Sequence, residues 1–152
     1  MNRRWMFKVL AAAAATVPLA NRTASAASET KTHRLALHVD QNDAETMKVA
    51  LHNARNTNKL YKERGEEVAI EIVAYSQGLH MFRDDTSPVK PEIAELRKDV
   101  PQVAFSGCNN TKTAMEKREG KPIPIIAEAT IVPAGVVRLV ELQEAGYAYV
   151  KP

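Results

Sequence analysis

From residue 33 onward, apolar and polar positions follow two periods that take turns along the chain. His33 to Asp40 places Leu35, Leu37 and Val39 on one face, the period of two expected of a half-buried strand. Asp43 to Arg64 changes period. Met47, Ala50, Leu51, Ala54 and Tyr61 recur at spacings of three, four and seven, which predicts a helix. Asn42 or Asp43 can cap its start and Gly65 can end it. Glu67 to Tyr75 returns to alternation through Val68, Ile70 and Ile72 and predicts a second strand. A loop at Ser76-Gln77-Gly78 and a short segment at Leu79 to Phe82 follow. Thr86 to Pro91 reads as a surface connection, and Arg83-Asp84-Asp85 as a solvated turn. Glu92 to Lys98 predicts a short helix, and Gln102 to Ser106 a third, central strand. A polar helix opens at Cys108-Asn109-Asn110-Thr111 and runs to about Glu119, where Gly120-Lys121-Pro122 breaks it. Ile123 to Val132 is a fourth strand or a strand-loop mixture. Ala134 to Ala145 is a helix carrying Val136, Val137, Leu139, Val140 and Leu142, and Tyr147 to Val150 is a last strand. Strands alternating with helices predict an α/β domain with a mainly parallel sheet.

The N-terminus has another pattern. Arg3, Arg4 and Lys8 precede an alanine-rich apolar run from Val9 to Ala20, and Ala24-Ser25-Ala26 offers small residues at alternate positions. Charge, short apolar core and small-residue exit predict that residues 1–26 are a secretory signal peptide. The run is shorter than the roughly 20 residues a membrane span needs. Arg3-Arg4-Trp5-Met6-Phe7-Lys8 also resembles the twin-arginine export pattern, so the expected location is the periplasm. Residues 27–32 are small and polar and read as a disordered linker, which leaves 33–152 as one domain.

That division changes the meaning of the charge. The whole chain has 21 basic and 18 acidic residues, a net charge of +3. Four basic residues and no acidic one fall within the first 26, so the remainder carries 17 against 18, a net −1. A nucleic-acid surface would need a basic patch interleaved with aromatics, and none is present. No later stretch is long and apolar enough to hold the chain in a membrane once the signal is removed.

Ligands of open parallel sheets sit outside the carboxyl ends of the strands. That rule selects Asp40, then Gln77, Gly78 and His80, then Cys108 with Asn109, Asn110 and Thr111 after it, and Thr130. Cys108 is the chain's single cysteine and has no intrachain disulfide partner. At a helix start, free N–H groups and the helix dipole favour the nucleophilic thiolate. The other reading is a small apolar side chain filling a gap. His38 and Asp40, two residues apart on one strand, point to the same side. No CxxC, HxxxH or HExxH spacing supports a metal made from Cys108 with His38 or His80, and the expected metal content is none. No GxSxG, GxGxxG or P-loop is present, so no cofactor is expected.

The segment Val103-Ala104-Phe105-Ser106-Gly107-Cys108-Asn109-Asn110-Thr111 resembles the strand-to-helix cysteine segment of DsrE/DsrF-like proteins. Residues 131–152, IVPAGVVRLVELQEAGYAYVKP, resemble that family's last helix and strand, and the block from Leu35 through Asn56 is similar as well. The resemblance implies a three-layer sandwich with a five-stranded sheet in a flavodoxin-like order, and a homo-oligomer, a trimer or hexamer. It also implies a cysteine, here Cys108, that takes sulfane sulfur as a persulfide from a donor protein or passes it to an acceptor. Gly107 and Asn109 stand where relatives often carry alanine and glycine, and the sulfur-relay members are cytoplasmic. The alternative is a non-catalytic homo-oligomeric binding or scaffold protein in which Cys108 only packs.

Overall fold

The computed structural model describes residues 32–152. The signal-peptide reading of 1–26 and the linker reading of 27–31 lie outside the described residues, while Thr32 already belongs to the first strand. The elements run β1 (Thr32–Val39), α1 (Ala44–Glu63), β2 (Glu67–Ala74), a 3₁₀ helix (Ser76–Phe82), α2 (Lys90–Asp99), β3 (Ala104–Cys108), α3 (Asn109–Glu119), β4 (Thr130–Val132), α4 (Gly135–Glu144) and β5 (Ala148–Val150). All five strands are parallel, in the order β4-β3-β2-β1-β5.

That order corrects one expectation. A flavodoxin-like sheet runs 2-1-3-4-5, whereas here the chain steps from β1 to β4 in one direction before β5 returns to the far side of β1. Parallel crossovers are right-handed, so three helices share one face and the fourth takes the other. The burial follows. Met47, Leu51, Ile93, Leu96 and Met115 from α1, α2 and α3 join Leu37, Ile70, Ile72 and Phe105 in a core of 22 buried residues. On the opposite face Leu139 and Leu142 of α4 meet Ala36 and Val73, with Tyr75 and Tyr147 packed against them. Helices on both faces of a five-stranded parallel sheet make the three-layer α/β sandwich.

Local chemistry sets the element ends. Asp43, one of the two expected caps, accepts a 2.7 Å bond from the Thr46 N–H at the start of α1. The loop expected at Ser76–Gly78 is instead the first turn of a buried 3₁₀ helix. Gly78 there lies so close to β1 that an added Cβ would stand 2.1 Å from the Val39 carbonyl oxygen. Of the region expected as a fourth strand or a strand-loop mixture from Ile123, only Thr130–Val132 joins the sheet, while Ile125 makes an isolated antiparallel bridge to Arg83. The turn read as solvated is also different. Arg83 is 2% exposed and its guanidinium bonds both oxygens of Asp85 and of Glu119.

Candidate functional site

The third strand ends two residues later than the alternation predicts, and this places Cys108 as its last buried residue and as the N-cap of α3. The strand beside it, β4, feeds α4 on the opposite face. Two neighbouring strands whose exits diverge to opposite faces create the topological switch point at which parallel sheets bind ligands. Cys108 lies at that point. Both helices that leave it, α3 and α4, begin beside the thiol.

The backbone permits this approach because residue 135 is glycine. A Cβ there would come within 2.9 Å of two Tyr75 carbons and 3.2 Å of the Cys108 Cβ. The thiol is 5% exposed. Burial pushes it up, but the Thr111 hydroxyl and the N–H groups of Gly135, Thr111 and Asn110 together outweigh that and hold it below the ordinary thiol value. The starts of two helices therefore lie beside one sulfur, where negative charge is favoured. Thr111 is itself held, since its Oγ1 accepts a 3.0 Å bond from the Ser76 N–H. Ser76 has a φ of +52°, a left-handed conformation rarely taken by residues other than glycine and asparagine.

The same edge brings further side chains into line. Val39 pairs with Ala74 and Ala74 with Gly107, so one step further Asp40, Tyr75 and Cys108 form a row across three strands. His38 lies behind Asp40 on the same face, as its two-residue spacing predicts, and its ring stacks on Tyr75 at 4.5 Å. Its Nδ1 lies 2.8 Å from the Tyr149 hydroxyl. Lys151 donates a 2.7 Å bond to Asp40 Oδ2, which lowers the Asp40 carboxyl below its usual range. Burial lowers the His38 imidazole, against the pull of Asp40. Burial raises the Tyr75 phenol, helped by Asp40, Tyr149 and, more weakly, Cys108.

A second clamp fixes α4. Glu71, 4% exposed, accepts 2.7 Å bonds from Arg138 Nε and Nη2, and its Oε1 also accepts a 2.6 Å bond from Ser106. Arg138 is one helical turn beyond Gly135, so this ion pair sets how close the start of α4 comes to the thiol.

Of the residues expected from position, Cys108, Asn110 and Thr111 come together, and Asp40 joins them along the row. Gln77 lines an open groove of about 330 Å³ with Ser76, Asn110, Thr111 and Arg118, on the α3 side of the cysteine. Asn109 is exposed at the start of α3. Gly78 serves packing. His80 turns away to the Thr86 hydroxyl at 3.4 Å and into the surroundings of Arg83 and Glu119. Thr130 begins β4 opposite Ser106 and so sits below the edge. Among the described residues no group of three or more His, Cys, Asp or Glu side chains could hold a metal ion. Sequence reasoning missed Tyr75, Gly135 and Arg138. Tyr75 was within reach, because alternation puts it on the face opposite Ile70 and Ile72. The larger hollows, about 580 and 560 Å³, open toward the amino ends of β1 and β2. Their size does not make them the site, because they lack the convergent donors found at Cys108.

No protein-family model matches the chain, and no curated protein matches it. Among solved structures it is similar to a protein of unknown function from Methanobacterium thermoautotrophicum. The two are 30% identical, with a TM-score of 0.67, over 79% of this chain and 99% of that one.

Proposed function

We propose that this chain, which belongs to the same family as the methanobacterial protein of unknown function, is a DsrE-like sulfur-handling protein of the periplasm whose Cys108 accepts and relays sulfane sulfur, a reading that comes from the resemblance of residues 103–111 and 131–152. The observation that carries the reading is the convergence of two helix starts and the Thr111 hydroxyl on a thiol held below its ordinary value. In the transfer, the Cys108 thiolate attacks the outer sulfur of a donor persulfide. The donor's S–S bond breaks, its electron pair leaves on the inner sulfur as a thiolate, and Cys108 becomes a persulfide. No net oxidation occurs and no redox cofactor is needed.

The periplasmic part rests on the sequence of residues 1–26. The homo-oligomeric part, a trimer or hexamer, is supported by the outer face of α4, where Val136, Val137 and Val140 are 56%, 51% and 48% exposed. A donor or acceptor protein would meet the chain at the open groove beside Thr111 and Arg118.

The test is intact mass after incubation of the mature protein with a persulfide donor. Wild type gains one sulfur atom and Cys108→Ala gains none. A wild-type protein that stays unmodified while a known sulfur carrier loads under the same conditions overturns the reading. A thiol that also resists alkylation while folded favours the non-catalytic binding or scaffold protein, a role that the 5% exposure of Cys108 would suit.

A further inference from the structure

Cys108 is buried and lines none of the hollows described above, so a donor sulfur reaches it when an element beside it moves aside. The groove next to Thr111 stops short of the sulfur, because Asn110 and Thr111 stand there instead. The helices that begin beside the thiol are held very differently. α3 is tied at both ends. The Ser76 N–H bonds Thr111 near its start, the buried Arg83 bonds Glu119 at its end, and Met115 between them belongs to the large core. α4 keeps to the sheet through Leu139 and Leu142, in a cluster of four buried residues. Its other side carries Val136, Val137 and Val140 in the open, so no further layer presses it down. Arg138 reaches across to Glu71, but its side chain is 35% exposed, and water can take over its bonds as it lets go. Pro133-Ala134 on one side and Gly146, with a φ of +84°, on the other bound the helix with short connections that can act as hinges.

Resting on the sulfur-acceptor reading, we propose that α4 is the lid of the Cys108 site, that the Glu71–Arg138 pair is its latch, and that sulfur enters and leaves through the open form. Gly135 is the part of the lid nearest the sulfur. A Cβ there would stand 3.2 Å from the Cys108 Cβ, so the bare backbone lets the helix start close down on the thiol. Closed, α4 keeps water and stray oxidants from the thiolate or its persulfide. Open, it lets a donor line up its S–S bond with the attacking sulfur. An element with few buried contacts opens at a lower free energy than the whole domain, so the lid lifts while β3 and α3 keep Cys108 and Thr111 in place. Glu71 does not lose all its partners in that form, because Ser106, on the neighbouring strand, still donates to it.

The experiment measures alkylation of Cys108 by iodoacetamide in the folded protein, beside hydrogen exchange of its backbone amides, in wild type, Leu142→Ala and Leu51→Ala. No sulfur donor takes part, so a failure here leaves the sulfur-acceptor reading to its own test. Wild-type Cys108 is expected to react about tenfold more slowly or less than in the denatured chain, with the same slowing as the exchange of the amides from Leu139 to Gln143. Leu142 packs only while the lid is closed, so Leu142→Ala should speed alkylation about tenfold or more. Leu51 belongs to the large core. Leu51→Ala lowers the stability of the whole domain and should leave the alkylation rate within about twofold of wild type. A wild-type thiol that reacts as fast as in the denatured chain overturns the lid. So does a Leu142→Ala rate equal to that of wild type. Acceleration by Leu51→Ala as large as by Leu142→Ala also overturns it, because the thiol is then reached by global unfolding. If either variant does not fold, the wild-type comparison decides, and a slowing that matches the amides of α3 or of the central strands rather than α4 sinks the proposal.

Discussion

Gly135→Ala probes the junction on which the thiol chemistry depends. The added methyl would stand 2.9 Å from Tyr75 Cβ and Cδ1 and 3.2 Å from Cys108 Cβ, against about 3.5–4.0 Å for an unstrained carbon contact. Tyr75 Cβ is fixed to the end of β2 and cannot rotate away. The first turn of α4 must therefore withdraw by about 0.6–1 Å. Overpacking of this kind costs about 1–3 kcal/mol, while alanine's better helix propensity returns at most about 1 kcal/mol. The net loss of stability is therefore between nothing and about 3 kcal/mol. The thiol feels the change too. Withdrawing α4 takes the Gly135 N–H, one of the groups that holds the thiol down, further from the sulfur, and a full hydrogen bond to a charged group is worth about 1.5–3 kcal/mol. Losing a third to a half of that removes about 0.5–1.5 kcal/mol of thiolate stabilisation, so the thiol titrates higher than in the wild type. The assay is the pH dependence of alkylation rate, paired with circular dichroism to show that the variant is folded. An unchanged thiol pKa in a folded Gly135→Ala protein would refute the claim that the start of α4 stabilises the anion.

Other outcomes follow from the same structure. Because the Cys108 thiol is held down when folded, its contribution to stability is fully present above the ordinary value of 9.0 and is lost as pH falls through the depressed folded value. Cys108→Ser should therefore flatten the rise in stability on the alkaline side, read by denaturant melts at several pH values. Arg138→Met leaves the Glu71 carboxylate buried without its cation, a loss of about 3–5 kcal/mol. It should also raise the thiol pKa, which a purely structural ion pair would not do. The Arg83 guanidinium lowers Asp85 to about 2, so this stabilisation is complete above the ordinary 3.8 and disappears as pH drops toward 2. An acid titration in which Arg83→Leu unfolds at the same pH as wild type would contradict it. Gly78→Ala forces a methyl against the Val39 carbonyl, and its melting temperature should fall further than that of any other glycine-to-alanine change described above.

The periodicities announced the α/β class, the number of strands and most helix bounds, because a strand or helix buried on one side must show its period in the sequence. What the period could not show was order. The placement of β5 beside β1 depends on which way α4 crosses, and nothing in residues 134–145 records that direction. Arg83 was read as solvated because its neighbours Asp84 and Asp85 are charged. Its burial depends on Glu119, 36 residues away. Cys108, Asn110 and Thr111 were legible because strand, turn and helix lie in one continuous segment. Gly135 was not, since the need for a missing side chain there arises only when Tyr75 and Cys108 from two other strands close on it.

The uneven division of the core has a thermal consequence. Four buried residues hold α4 to its face of the sheet, against 22 on the other side. Elements with few buried contacts open locally at a lower free energy than the whole domain. Opening α4 would take the Gly135 N–H and one helix dipole away from the sulfur while β3 and α3 stayed in place. It would also uncover a side chain that is 5% exposed while α4 is in place, so thiol reactivity should rise on warming ahead of the main melt, and the cysteine reports how often one helix lifts from a still-folded protein.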